Sequence, residues 1–327
     1  MTIAEIAKRA QVSKAAVSRY LNDGYISAEK KESIRRVIEE TGYIPSQQAQ
    51  TLRTGKSHMI GVIVPRIDSE SVSRIVAGIS GILEQHGFRL LLANTENRVE
   101  KELEYLEVFR NGNVDGVILI ATLLSEAHKK ALRTSSVPVV IVGQQMDGMS
   151  CVYHDDRGAA RDLTALLIAN GRKKIGYIGV TPRDKAAGSA RRAGYLDALR
   201  EAGSEEKTDR MEQSSFSMEG GYAAAGRLLT RAPEIDAIFC ATDSIAIGAM
   251  NRLRESGRRV PGDVAVVGIG HSRISSLVSP RLTTAHYYYK TSGEEAARDL
   301  LQMLEQGVDQ KKQLKLGYEI FKQQSDG

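Results

Sequence analysis

The chain has 327 residues, 42% of them apolar, a formal net charge of +5 and only two cysteines. That length supports two or three domains, each with its own core. No apolar run approaches the roughly 18 residues of a membrane span. Cys151 and Cys240 stand far apart in apolar settings, which excludes a disulfide framework or a cysteine metal site.

The segment MTIAEIAKRA lacks the apolar core of a secretory leader, so the expected compartment is the cytoplasm. The charge is uneven. Residues 1–57 carry ten Lys and Arg against six Asp and Glu, so +4 of the +5 sits in this short stretch. A small basic head on a near-neutral body points to a polyanion partner for the head.

In chain order, Thr2 with Glu5 forms a capping-box pattern, and Ile3, Ile6, Ala7 and Ala10 make the apolar stripe of a first helix. Gln11-Val12 interrupts it. Ser13 is placed to cap a second helix whose stripe is Ala16, Val17 and Leu21. Asp23-Gly24 signals a turn. Ser27 is placed to cap a third helix, apolar at Ile34, Val37, Ile38 and Tyr43 and stopped by Pro45.

Three short helices with a three-residue turn between the first two make the helix-turn-helix pattern. Its second helix enters the DNA major groove. Ser13, Lys14, Ala15, Ala16, Ser18, Arg19 and Asn22 then form the reading face. Small residues admit the backbone and meet a thymine methyl, while Lys and Arg donate to guanine. A three-helix bundle for protein contact is the alternative. The following SQQAQTLR is a marginal helix on its own. It reads either as an interdomain linker or as a short helix whose Ala49 and Leu52, three apart, suit a tight pair contact and a wedge.

From Met59 onward, apolar strands alternate with amphipathic helices. MIGVIVP, FRLLLANT, VDGVILIAT and VPVVIVG read as strands, and SRIVAGISGILEQHG and EKELEYLEVFRNG as helices. This βαβ alternation implies a parallel, doubly wound sheet, hence an α/β body. The pattern repeats: MIGVIVPR (59–66) recurs as KIGYIGVTPR (174–183), and VDGVILIAT (114–122) as IDAIFCATD (235–243). Two similar lobes in series imply a ligand cleft between them.

Ligands in such folds sit beyond the carboxyl ends of strands. The residues found there are Arg66, Asp68, Ser69, Thr122, Gln144, Arg191, Thr242, Asp243 and His271. This set of hydroxyls, amides, carboxylates and guanidinium groups suits a buried sugar. Arg66 and Arg191 together raise the option of a phosphate grip. A salt bridge between lobes is the other reading of Arg66. No histidine has metal-ligand spacing, so neither metal nor cofactor is expected. No Gly-x-Ser-x-Gly elbow, phosphate loop or HExxH is present, and no enzyme is expected.

TIAEIAKRAQVSKAAVSRYLND, followed by GYIP, Ala49, Leu52 and the linker, resembles the LacI/GalR family of bacterial repressors, and the likeness runs to the C-terminal QLKLGYEIF. Within the family, PRIDS, VGQQ, YHDD and ATDSIAIGAM carry a likeness to sucrose-operon repressors of Gram-positive bacteria, then to trehalose repressors. The resemblance implies a helix-turn-helix head at 1–45, a hinge helix and linker at 46–57, and a two-lobed body at 58–327 resembling periplasmic sugar-binding proteins. The N-lobe would comprise 58–157 and 288–313, the C-lobe 158–286 and 314–327, with passages near 156–158, 286–288 and Gln313.

It further implies a homodimer on a palindromic operator, with no membrane partner. Lys14, Ala15 and Arg19 would read bases, and Leu52 would wedge into the minor groove. Tyr43, Ala49 and Arg53 complete the expected DNA-contacting set. A sugar or sugar phosphate in the cleft would release the DNA; a corepressor is the opposite logic. The family's usual acid near Gly270 is missing from GIGHS, which leaves His271 as the expected hydroxyl partner there.

Overall fold

The computed structural model describes residues 1–22, 24–43, 56–204, 208–307 and 311–327, with only the backbone at 112 and 113. The turn residue Asp23, the hinge segment, and with it Ala49, Leu52 and Arg53, lie outside the described residues. The chain divides into two units, Met1–Ser57 and His58–Gly327.

The first unit packs α1 (Ile3–Arg9), α2 (Lys14–Tyr20) and α3 (Ala28–Thr41) around Ile6, Val17 and Ile34, all fully buried. The capping box forms: Thr2 Oγ1 accepts from the Glu5 N–H at 3.3 Å, and Glu5 Oε2 accepts from the Thr2 N–H at 2.8 Å. That backbone donor lowers the Glu5 carboxyl from its ordinary range. Gln11 turns the chain with φ 54°. Ser13 Oγ accepts from the Ala16 N–H at 3.2 Å. Ser27 holds the cap position of α3 without a side-chain capping bond. Gly42, at φ 59°, ends α3 ahead of Pro45, because a left-handed residue closes the last turn at no Cβ cost.

The second unit holds two six-stranded sheets, ordered β11-β5-β4-β3-β1-β2 and β12-β10-β9-β8-β6-β7. The first comprises β1 (Met59–Val64), β2 (Arg89–Asn94), β3 (Gly116–Ile120), β4 (Val139–Val142), β5 (Ser150–His154) and β11 (Gln313–Leu316), all parallel. The second comprises β6 (Ile175–Gly179), β7 (Met211–Gln213), β8 (Ala237–Cys240), β9 (Ala265–Ile269), β10 (Thr283–Tyr287) and β12 (Tyr318–Phe321). Among the described strands only β12 runs antiparallel, against β10.

Each sheet is buried on both faces by helices, as fully apolar central strands require. The strands repeated in sequence hold equivalent places: β1 matches β6 and β3 matches β8. Helices Glu70–Gln85 and Tyr289–Gln306 cover one face of the first sheet. They touch through glycine. A Cβ on Gly78 would lie 2.1 Å from the Lys290 carbonyl oxygen, and one on Gly293 2.0 Å from that of Ile75.

The chain passes between lobes after β5, after β10 and at Gly317. QLKLGYEIF reads as one strand, with the last passage near Gln313. Instead Gly317 splits it: β11 pairs with β5 in one lobe and β12 with β10 in the other. Both halves have strand composition, and pairing partners alone separate them.

Candidate functional site

On the head, Lys14, Ala15, Arg19 and Asn22 of the α2 segment are exposed, as is Ser13, with Ser18 half-buried beside them. They form one polar face at the start and along one side of α2. Ala16 does not belong to it. Its side chain is 6% exposed and packs in the head core with Val17. The physical reason is helical spacing: Ser13 caps α2, which turns Ala15 outward and Ala16 inward. Tyr43 packs half-buried at the edge of the same core.

The body's cleft is a cavity of about 410 Å³ at the carboxyl ends of strands from both lobes. Arg66, Asp68, Ser69, Thr122, Gln144, Arg191, Thr242 and Asp243 line it. His271 does not. Its φ of 47° turns the ring away from the cleft, where it stacks on Phe321 at 4.1 Å and meets His286 Nδ1 at 3.2 Å. The acid expected near Gly270 is therefore not replaced by His271.

The floor is a buried ionic cluster. Arg191 Nε donates to Asp156 Oδ1 at 2.7 Å, and its Nη1 donates to the Ala241 carbonyl. Tyr287 donates its phenolic proton to the same Asp156 oxygen at 3.1 Å. The His154 ring lies flat on Tyr287, centroids 4.6 Å apart. Burial holds His154 down at about 4, so its ring is neutral near pH 7. Asp243 is raised by burial, yet holds Thr284 Oγ1 and, at 2.7 Å, the Ser272 N–H. Thr242 caps the following helix, its hydroxyl oxygen accepting from the Ile245 N–H at 3.3 Å.

Arg66 is paired within its own loop and also reaches the other lobe. It forms a two-pronged pair with Asp68 of its own loop, at 2.9 and 2.8 Å. Its third contact crosses the cleft to the Phe216 carbonyl at 3.0 Å. The salt bridge is thus within one loop, and the link between lobes is a hydrogen bond. Among the described residues three more bonds cross the cleft. Gln144 Nε2 donates to Asp184 Oδ1 at 2.8 Å, Arg74 Nη1 to the His271 carbonyl at 3.0 Å, and the Arg273 N–H to the Glu70 carboxylate at 3.1 Å.

Glu70, Arg74, His154 and Asp184 were not among the expected residues. Asp184 had one legible signal, its place in TPRD just after a strand. Glu70 had the same signal, next to Ser69 in the stretch after β1; Arg74 had none, because its partner is some 200 positions away in sequence.

Among the described residues no helix is long and apolar enough to cross a membrane. None of the described His, Cys, Asp and Glu form a group of three or more placed to hold a metal ion.

Residues 2–46 match the bacterial regulatory proteins of the lacI family. Residues 57–324 match the periplasmic binding proteins and sugar binding domain of the LacI family. The sucrose operon repressor of Staphylococcus xylosus is 33% identical over 306 residues, covering 94% of each chain. The regulator CelR of Thermobifida fusca is 33% identical over 311 residues, covering 92% of this chain and 91% of that one.

A transcriptional regulator CelR–cellobiose complex superposes with a TM-score of 0.78 at 29% identity, covering 99% of both chains. The Lac repressor dimer bound to operator and the anti-inducer ONPF shares the fold, with a TM-score of 0.90 at 24% identity over 100% of this chain and 99% of that one. The family is one of regulators rather than enzymes. The chain belongs to the LacI family of bacterial regulatory proteins and is a DNA-binding, sugar-responsive transcriptional repressor.

Proposed function

We propose that the chain represses a sugar-utilisation operon in the cytoplasm, and that a neutral disaccharide of the sucrose type releases it from DNA. A homodimer presents two α2 helices to a palindromic operator, with Lys14, Ala15 and Arg19 on base edges and Ser13, Ser18 and Asn22 beside them. Tyr43 and the segment from Ala49 through Leu52 to Arg53 extend the contact, Leu52 as a minor-groove wedge. The body binds the effector with Asp68, Ser69, Thr122, Gln144, Thr242 and the Arg191–Asp156 pair.

One observation carries the choice of a neutral sugar. Every arginine lining the cleft already has a carboxylate: Arg66 with Asp68, Arg74 with Glu70, Arg191 with Asp156. Two further carboxyl groups, Asp184 and Asp243, stand in the same wall. A phosphate dianion would have to break a pair and face the remaining acids. Sugar hydroxyls instead donate to carboxylates and accept from the guanidinium groups. The sucrose operon repressor and the cellobiose complex among the relatives point to the same ligand class. The effector acts by binding the DNA-free arrangement of the dimer more tightly than the DNA-bound one.

A thermal-shift panel tests the ligand class. Sucrose, cellobiose, trehalose, ribose and the 6-phosphates of sucrose and glucose would be compared on the full chain. A neutral disaccharide is expected to raise Tm by mass action in a concentration-dependent way. A shift with sucrose 6-phosphate but not with sucrose would overturn the reading.

A further inference from the structure

Beside the cleft lies a second cavity, of about 580 Å³. The two cavities share Gly143, Gln144, His154, Asp156 and Ala186, so they are neighbouring chambers with a common wall. Gln144, which lines both chambers, donates across the lobes to Asp184, which lines the first. Gln144 also donates to the Thr122 carbonyl at 2.9 Å, so both its amide protons are committed.

The chambers differ in charge. The first is lined by three arginines and five carboxyl groups, Asp68, Glu70, Asp156, Asp184 and Asp243. The second is lined by five cations, Lys129, Arg133, Arg157, Lys185 and Lys315, against Asp147, Asp155 and Asp156. Asp155 is matched by Lys315 at 3.0 Å and Asp156 by Arg191. Lys129 and Arg157 have partners outside the cavity wall, Glu126 and Asp197. Arg133 and Lys185 form no ion pair among the described residues; both are exposed, and they line this cavity from different lobes. A planar fork and a mobile ammonium lining one cavity suit a phosphate monoester. The cavity is within the range that encloses a phosphorylated monosaccharide.

We propose that this second chamber binds a phosphorylated sugar at a site separate from that of the neutral effector, and that the Gln144–Asp184 bond couples the two. A ligand on either side that competes for the Gln144 amide or displaces its ring of contacts changes the wall of the other chamber. The coupling is then reciprocal: each ligand shifts the affinity of the other by the same factor.

The test is calorimetric titration of the full chain with glucose 6-phosphate, alone and with saturating sucrose, beside the double variant Arg133→Glu/Lys185→Glu. Both substituted side chains are exposed, so the fold is kept. Glucose 6-phosphate is expected to bind the unaltered chain, to go on binding when sucrose is saturating, and to bind the double variant at least about tenfold more weakly. Sucrose affinity in the variant is expected to stay unchanged. Absence of binding at millimolar glucose 6-phosphate, displacement by sucrose, or full binding by the double variant would each overturn the proposal. If sucrose itself does not bind, that counts against the neutral-sugar reading alone, because the glucose 6-phosphate titration and the double variant are read without it.

Discussion

Gln144 and Asp184 meet across the cleft, amide to carboxylate at 2.8 Å, and both side chains are at most 4% exposed. The same Asp184 oxygen also accepts from the Ala186 and Ala187 N–H groups, at 3.0 and 2.9 Å. Burial raises the Asp184 carboxyl, with the Gln144 bond as the main opposing influence. One buried charge therefore rests on three donors, one of them from the other lobe.

Removing that donor is expected to be costly. Gln144→Ala should lower stability by about 1.5–3 kcal/mol, the range for a hydrogen bond to a charged group. Asp184→Asn keeps an acceptor for the two backbone N–H groups and removes the charge. The double variant should then lose less than the sum of the single losses. A urea double-mutant cycle reads this, and strict additivity would contradict it.

His154 sets an acid limb. Its ring is held at about 4 by burial, against 6.5 for an ordinary histidine. Between those values the unfolded chain binds the extra proton and the folded chain does not. Stability is therefore fully present above about pH 6.5 and is lost as pH falls toward 4. The shift corresponds to about 3 kcal/mol at most. His154→Phe preserves the stack on Tyr287 and removes the proton site. Its stability between pH 6.5 and 4 should fall less steeply than that of the unaltered chain, and parallel curves would refute the assignment.

Two glycines of one helix should respond in opposite ways. Gly78 lies against the Lys290 carbonyl, whereas a Cβ on Gly81 meets nothing within 4 Å. Gly78→Ala should destabilise by about 1–3 kcal/mol through forced separation of the helices. Gly81→Ala should stabilise by up to about 1 kcal/mol through helix propensity. Urea midpoints of the two variants decide it.

On the head, neighbouring alanines separate reading from packing. Arg19→Ala should weaken operator binding by about 1–3 kcal/mol and relax preference at one base position. Ala15→Lys should change operator preference while α2 remains helical. Ala16→Glu should instead unfold the head, because it buries an unpaired charge beside Val17. Circular dichroism of the variant heads within the full chain, beside operator titrations, distinguishes the outcomes. A folded Ala16→Glu head with altered preference would place Ala16 back on the reading face.

Local rules made the head legible. The Thr2–Glu5 box, the Ser13 cap and the apolar stripes all act within four residues, and all are observed. The repeated strand motifs foretold two equivalent sheets because buried parallel strands leave so plain an apolar run. The break at Gly317 was hidden, since both halves of QLKLGYEIF favour strand and only their partners differ. The orientation of His271 was hidden as well, decided by a left-handed turn and by Phe321, fifty positions later in the chain. The cross-cleft bonds of Glu70, Arg74 and Asp184 depend on how two lobes meet, which no single stretch of sequence encodes.

Operator release followed by fluorescence anisotropy tests the proposed regulation most directly. The full chain would be held on a labelled palindromic operator and titrated with sucrose and, separately, with sucrose 6-phosphate. Sucrose is expected to lower operator affinity in a saturable way, and sucrose 6-phosphate, kept out by the acids of the first chamber, is expected not to reproduce this at equal concentration. Release by the phosphate alone, or tighter operator binding with sucrose, would contradict the proposal.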